Sequence, residues 1–238
     1  MKSLLDTLWP ATCAACDSPL RGGCFCALCA ETLVPGCEVC CSLCGEILLG
    51  RPPGPPATCG SCHLRPPAFR RARAAFAYGG ALQTAIVRWK NDRRTILSRQ
   101  LALLMMGQAE AAGWTKLEKD VIVIPVPTTF RRALRRGFNP AGHLARGLGR
   151  HLELCCRPDG LTLSTGVVAS KGMGRGLRQK RLQRAFRASS WVEGTDLLLV
   201  DDVRTTGGTI HAAAKALRRA GARSVEVALL AAVQGPGS

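Results

Sequence analysis

The sequence predicts an α/β fold, with a mainly parallel sheet flanked by helices, preceded by a cysteine-rich zinc-ribbon domain. Apolar segments alternate with helical segments downstream of residue 68, and eleven of the thirteen cysteines lie between Cys13 and Cys62. In addition, one apolar strand ends in two adjacent carboxylates followed by a Thr/Gly-rich turn. We therefore expect a double zinc-ribbon domain over residues 1–68 and a sheet domain over residues 69–238.

The second domain consists of strand and helix patterns that follow one another. Strands are predicted at residues 72–78, 121–126, 196–200 and 224–233. Helices are predicted at residues 81–92, 95–112, about 140–151 and 211–220. The run VIVIPV at 121–126 is typical of a strand buried on both faces of a parallel sheet. Strands separated by helices in this way indicate an α/β domain.

The charge of the chain is high and unevenly distributed. The 238 residues carry 33 basic and 16 acidic side chains, a net charge of +17. Residues 131–187 alone hold 14 basic and 2 acidic side chains. A membrane span needs about 18 consecutive apolar residues, and no stretch of the sequence is that long. Asp6 and Pro10 interrupt the apolar N-terminal segment that a secretory signal would need. We expect a cytoplasmic protein without a membrane span, whose thiols stay reduced.

The cysteines form four successive CxxC units, a pattern typical of zinc sites. Two such units complete one tetrahedral four-cysteine site, so two structural zinc ions are expected. The ligands of the first are Cys13, Cys16, Cys26 and Cys29, and those of the second are Cys41, Cys44, Cys59 and Cys62. Cys37 and Cys40 form another CxxC, which leaves a different register open for the second site. Redox-active pairs or an iron–sulfur cluster are the alternatives.

The segment LLLVDDVRTTGGTI at 197–210 carries the second chemical signal. An apolar strand delivers Asp201 and Asp202 to its carboxyl end, and a helix begins after a Thr/Gly turn. Backbone N–H groups at a helix N-terminus bind phosphate, and the two carboxylates suit sugar hydroxyls or hydrated magnesium. The alternative is a plain strand-to-helix turn without a ligand.

This segment resembles the phosphoribosyl pyrophosphate (PRPP) motif of type I phosphoribosyltransferases. Three further features make the chain similar to the ComF family, which joins a zinc unit to a domain of that fold. These are the CxxC units, RARAAFAYGGALQTAIVRWK (71–90) and PVPTTFRRALRRGFNPAGHLA (125–145). The resemblance covers nearly the whole chain and implies a type I phosphoribosyltransferase-like sheet, with magnesium bound together with PRPP.

The resemblance also implies roles for individual residues. Asp201 and Asp202 would be the catalytic carboxylates that contact the ribose hydroxyls, directly or through magnesium. The 5′-phosphate would be held by Thr205, Thr206, Gly207, Gly208 and Thr209. Pyrophosphate would be met by Pro127, Thr128 and Thr129, with charge from Arg131, Arg135, Arg136 and Lys90. For each arginine the alternative is a solvated surface charge.

Two positions depart from the family pattern. Arg181 stands about where an asparagine is expected, which concerns the mobile catalytic flap. Arg204 lies within the PRPP motif at a position where an apolar or aromatic residue is common.

The basic stretch at 131–187 exceeds what one pyrophosphate needs, so a larger polyanion is favoured. Together with the resemblance, it implies a protein that binds PRPP or another phosphorylated ribose and single-stranded DNA during natural transformation, alongside helicase or channel proteins of DNA uptake. One alternative is an active phosphoribosyltransferase with an unknown acceptor. The other is a regulator that senses PRPP.

Overall fold

The computed structural model describes residues 12–20, 22–36, 40–48, 57–92, 96–164 and 185–235, with only the backbone described at 130–132. The strands are β1 (Arg71–Ala77), β2 (Ile122–Pro125), β3 (Leu161–Leu163), β4 (Phe186–Ala188), β5 (Asp196–Arg204) and β6 (Ser224–Ala232). The helices are α1 (Ala27–Ala30), α2 (Gly60–Leu64), α3 (Gly80–Asn91), α4 (Ile96–Met106), α5 (Phe130–Arg136), α6 (Pro140–Leu152) and α7 (Gly208–Arg219).

Four strands form a parallel sheet in the order β1-β6-β5-β2. In this register Pro125 of β2 lies beside Val200 of β5, and Ala77 of β1 lies beside Ala232 of β6. The carboxyl ends of all four strands therefore point to the same edge of the sheet. The predicted fold class, a parallel sheet with flanking helices, is confirmed.

The apolar run of β5 serves both faces of the sheet. Leu198 and Val200 pack into a core with α3, α4 and α6, whereas Leu197 and Leu199 pack into a second core with α7 and the β3–β4 pair. Successive side chains of a strand point to opposite faces, and both faces of this sheet are covered, so all four side chains are buried. This explains why the sequence of β5 does not alternate between apolar and polar residues.

The cysteine-rich segment covers the free edge of β1. The N–H of Gly36 donates to the carbonyl of Ala75 at 2.9 Å, and the N–H of Ala77 donates to the carbonyl of Val34 at 2.8 Å. Residues before this crossing, such as Cys24, pack into the core of α3, α4 and α6, and residues after it pack into the core of α7. The segment thus wraps around an edge strand that would otherwise present unpaired backbone groups.

Several elements differ from the sequence-based expectation. β5 continues through Asp201 and Asp202 to Arg204, four residues beyond the predicted strand. The helix predicted at 95–112 ends at Met106 and is followed by turns. Helix α5 and the antiparallel β3–β4 pair were not predicted. No part of the structure tests the boundary near residue 68, which stays a prediction.

Within the described ranges, no helix combines the length and the apolar composition that crossing a bilayer requires.

Candidate functional site

The candidate ligand site lies where β5 leaves the sheet and α7 begins. Residues 205–207, called here the β5–α7 loop, join the two elements. In open parallel sheets ligands bind at the carboxyl ends of the strands, so the loop lies at the edge where a ligand is expected.

The β5–α7 loop ends in a left-handed glycine at the start of α7. Gly207 is the N-cap of α7, with φ +74°, and its carbonyl accepts the N–H of His211 at 2.9 Å. Because glycine has no side chain, this N-cap residue leaves the first-turn N–H groups uncapped. Thr205, Thr206 and Thr209 are exposed, and Gly208 is half-buried. Exposed hydroxyls beside a helix N-terminus suit an anion.

An ion pair joins Asp202 to helix α3. The Nζ of Lys90 lies 2.9 Å from the Oδ2 of Asp202, and both side chains are mostly buried. Helix α3 is anchored by Trp89, whose indole N–H donates to the hydroxyl of Ser98 at 2.8 Å in the core. The fold therefore brings Lys90, which is 112 positions before Asp202, into the same site.

Asp201 has an unusual electrostatic environment. Its burial, followed by the charge of Asp202, raises its pKa to about 8, although the N–H of Asp202 and the charge of Lys90 oppose this. That N–H donates to Asp201 Oδ1 at 2.9 Å. A neighbouring cation or hydrogen-bond donor would favour the charged carboxylate. Binding of a metal ion or of sugar hydroxyls would therefore stabilise the charged form of Asp201 beside Asp202.

A second loop approaches the same edge after β2. The N–H of Val126 donates to the carbonyl of Val200 at 2.8 Å, so the chain stays beside β5 up to this point. Pro127, Thr128 and Thr129 follow and are half-buried. In α5, Arg135 is exposed and Arg136 is half-buried, whereas the side chain of Arg131 lies outside the described residues. The flap position Arg181 also lies outside them.

Two residues at this edge were missed by the sequence interpretation. Tyr78 directly follows β1, and its burial and the charge of Asp202 raise its pKa. Asn139 donates its side-chain N–H to the carbonyl of Val126 at 3.1 Å, which fixes the start of the loop at residues 126–129 between β2 and α5. The position of Tyr78 at the carboxyl end of the strand predicted at 72–78 is the signal that would have identified it.

The cysteines form two compact groups. The first cysteine group comprises Cys13, Cys16, Cys26 and Cys29, and the second cysteine group comprises Cys41, Cys44, Cys59 and Cys62. In each group all four sulfurs lie within 4.8 Å of one another, in the grouping that the CxxC spacing predicts. Cys40 belongs to neither group, and Cys37 lies outside the described residues.

The sulfur positions fit tetrahedral zinc. Bonds of about 2.3 Å in a tetrahedron place sulfurs about 3.8 Å apart. The observed distances are 3.7 Å between Cys16 and Cys26 and 3.6 Å between Cys44 and Cys59. Two such four-sulfur sets match closed structural zinc sites, which carry no open coordination position for catalysis.

In the second cysteine group, hydrogen bonds favour the thiolate form of Cys41, whereas the contact with Cys41 raises the pKa of Cys44. The Sγ of Cys41 accepts the N–H of Cys59 at 3.2 Å and that of Cys44 at 3.5 Å. Its contact with the Cys44 thiol, together with these N–H groups, lowers the pKa of Cys41 to about 4. A thiolate is the form that ligates zinc.

Comparison with known proteins agrees with this geometry. Residues 109–236 match the model of the phosphoribosyl transferase domain family, which is more than half of the chain. The chain is 31% identical over 232 residues to DNA utilization protein YhgH of Escherichia coli O157:H7, covering 92% of this chain and 95% of that protein. It is 29% identical over 173 residues to Competence protein F of Haemophilus influenzae, covering 71% and 76%.

A third relative is Competence protein ComFC of Streptococcus pneumoniae, 28% identical over 155 residues, with 65% of this chain and 64% of that protein covered. The family model spans the strands and helix that build the site, namely β2, β5, α7 and β6. The chain belongs to the phosphoribosyl transferase domain family and, within it, to the ComF family.

Proposed function

We propose that this protein binds PRPP, or another phosphorylated ribose, together with magnesium, and that it also binds single-stranded DNA in DNA uptake. The arrangement of Asp201, Asp202 and Lys90 beside the β5–α7 loop is the observation that carries the proposal. It offers carboxylate oxygens, a cation and helix N–H groups at one edge of the sheet.

Each part of this site suits one part of the ligand. The β5–α7 loop and the hydroxyls of Thr205, Thr206 and Thr209 would hold the 5′-phosphate. Asp201 and Asp202 would hold the ribose hydroxyls and magnesium, for which carboxylate oxygens are suitable ligands. Pyrophosphate would lie towards Pro127, Thr128 and Thr129, with α5 beside it.

The two cysteine groups would each hold one structural zinc ion. They would fix the segment that covers β1 and supply no catalytic metal, since all four positions of each ion are taken by sulfur. Magnesium would bind only with the phosphorylated ligand.

The proposal of DNA binding rests on charge and on relatives. A positive surface neutralises phosphates and releases counterions. The printed names of the relatives refer to DNA utilization and to competence. Phe138 and Phe186 are buried, and Phe138 packs against Trp89 with 5.6 Å between ring centroids, so neither ring is free for base stacking. Arginines such as Arg135 therefore carry the DNA proposal, with help from the basic segment at 165–184 that lies outside the described residues.

Calorimetric titration with magnesium and PRPP tests the first part. The double variant Asp201→Asn/Asp202→Asn should bind at least about 100-fold more weakly, since each of the two charge-assisted hydrogen bonds contributes about 1.5–3 kcal/mol. Asp196→Asn is the matched control, because Asp196 begins β5 at the opposite edge and pairs with Arg223. Equal affinities for the wild type and the double variant would remove the assignment of the site.

Fluorescence anisotropy with a labelled single-stranded oligonucleotide tests the second part. Affinity should fall steeply with salt, with a log–log slope that changes by about 0.7 for each phosphate neutralised. Arg135→Ala should weaken binding about threefold and lower that slope by about 0.7, whereas Arg219→Ala at the far end of α7 should change neither. A slope near zero in the wild type would contradict DNA binding.

Release of pyrophosphate separates binding from catalysis. The assay combines the protein, magnesium and PRPP with and without single-stranded DNA. We expect stoichiometric binding without sustained release. Sustained release that requires an added acceptor would make the protein a phosphoribosyltransferase, because the bond from ribose to pyrophosphate is then replaced by a bond from ribose to that acceptor. Sustained release without an acceptor would be hydrolysis of PRPP by water.

A further inference from the structure

Arg204 is a charged residue in a buried position. It is the last residue of β5 and precedes the β5–α7 loop. Only 8% of its side chain is exposed. Buried arginines are rare unless charged or polar partners compensate for the lost hydration.

The partners of Arg204 come from the cysteine-rich segment. Its Nη2 donates to Glu46 Oε2 at 3.0 Å and to the sulfur of Cys44 at 3.5 Å. Cys44 belongs to the second cysteine group, and Glu46 is itself buried. Four thiolates around one Zn²⁺ carry a net charge of −2, so the guanidinium offsets negative charge from the group and from Glu46. Hydrogen bonds of this kind to ligating atoms orient the ligands of a metal site.

The same guanidinium lies against the turn at Gly207. A Cβ placed on Gly207 would lie 3.2 Å from the Nε of Arg204 and 3.4 Å from its Nη2. Gly207 has the left-handed conformation that starts α7. The guanidinium of Arg204 therefore lies close both to a sulfur of the second cysteine group and to the turn at Gly207.

Glu46 is held in place from a further direction. The N–H of Gly235 donates to the carbonyl of Ile47 at 3.3 Å, and Ile47 forms a parallel bridge with Gln234. A Cβ on Gly235 would collide with the carboxylate of Glu46. The carboxylate that pairs with Arg204 is thus confined between the second cysteine group and the segment after β6.

We propose that Arg204 is a positioning residue that couples the second cysteine group to the β5–α7 loop. Its contacts with Glu46 and Cys44 fix the turn at Gly207, so a change at the zinc site alters the loop that binds the 5′-phosphate. The effect on ligand affinity rests on the proposed function, whereas the effect on the loop does not.

Hydrogen exchange of the His211 amide tests the coupling without any ligand. This N–H donates to the carbonyl of Gly207 and so reports the turn. In Arg204→Met, with two zinc ions retained, its exchange should be about tenfold faster than in the wild type. Glu46→Gln, which keeps the guanidinium but removes its counter-charge, should accelerate exchange less, and it serves where Arg204→Met fails to fold.

Arg71→Met is the matched control. Arg71 donates to the buried Glu226 at 2.7 Å from the first residue of β1, at the opposite edge of the sheet. The variant Arg71→Met should leave the exchange rate of the His211 amide at the wild-type value. Unchanged exchange in both Arg204→Met and Glu46→Gln, or equal acceleration in Arg71→Met, would overturn the coupling.

Cobalt substitution tests the zinc end of the coupling. The sulfur-to-cobalt charge-transfer band should shift in Arg204→Met, because a hydrogen bond to the Cys44 sulfur is lost, and should not shift in Arg71→Met. A band identical to the wild type would refute the contact with the metal site.

Titration with magnesium and PRPP then separates the two proposals. Binding that is about tenfold weaker in Arg204→Met would extend the coupling to the ligand. If the wild type binds no PRPP, the proposed function fails, while the exchange and cobalt results still decide the role of Arg204.

Discussion

The two cysteine groups have the same composition but different environments. In the second cysteine group all four residues are buried. In the first, only Cys13 is buried, Cys26 and Cys29 are half-buried and Cys16 is exposed. A CxxC pair therefore specifies a site that can hold a metal ion, but not how deeply the surrounding chain buries it.

The groups also differ in how they are attached to the sheet domain. The first cysteine group lies beside α3, where Arg88 pairs with Asp17 at 2.8 Å and both side chains are solvent-accessible. The second is attached through the buried pair of Arg204 and Glu46. Loss of the second group should thus disturb the β5–α7 loop through Arg204, whereas loss of the first should act on the side of the sheet where Cys24 packs into the core of α3, α4 and α6.

Replacing one ligand in each group should give the largest contrast. Cys41→Ser removes a buried thiolate and should cost at least about 4 kcal/mol in the free energy of unfolding, with loss of one zinc ion. Cys16→Ser should cost about 1–2 kcal/mol, because water can reach the exposed position. Urea denaturation and zinc analysis measure both effects. Similar losses of stability in the two variants would show that burial does not distinguish the groups.

Alanine at two left-handed glycines should give a smaller contrast. Gly23, beside the first cysteine group, has φ +85° and open space around a Cβ, whereas Gly207 has φ +74° with Arg204 in contact. A left-handed alanine costs about 1–2 kcal/mol, so we expect about 1 kcal/mol for Gly23→Ala.

Gly207→Ala should cost about 2 kcal/mol, because the strain adds to displacement of the guanidinium. Urea denaturation of both variants measures the difference. Equal costs would mean that Arg204 yields to the new methyl group and does not restrain the turn.

The sequence was sufficient to predict those features whose pattern lies within a few neighbouring residues. The four CxxC units, the apolar run of β5 and the carboxylates at its end are each contained within a few residues, and they gave the cysteine grouping and the α/β fold. The length of β5 was underestimated because Asp201 and Asp202 resemble the start of a loop, yet Asp201, Val203 and Arg204 continue the pairing with β6.

What could not be predicted depends on contacts between distant parts of the chain. Glu46 and Arg204 are 158 positions apart, and no periodic pattern relates them. The sequence marked Arg204 only as a departure from the family pattern, and its reason is a partner in the cysteine-rich segment. The β3–β4 pair was missed for a different reason, since strands of three residues carry too little pattern to be identified.

The smallest contrast concerns the ion pair that attaches the first cysteine group. Arg88 and Asp17 are 26% and 47% exposed, so solvent and salt screen their attraction. Arg88→Met should therefore cost about 0.5 kcal/mol in urea denaturation, and the cost should disappear in high salt. Arg204→Met removes a buried pair, so its cost should be larger and persist in salt. A salt-independent cost for Arg88→Met would mean that Arg88 acts through its 3.5 Å hydrogen bond to the carbonyl of Ala14. The first cysteine group would then be attached to the sheet domain more firmly than its exposure indicates.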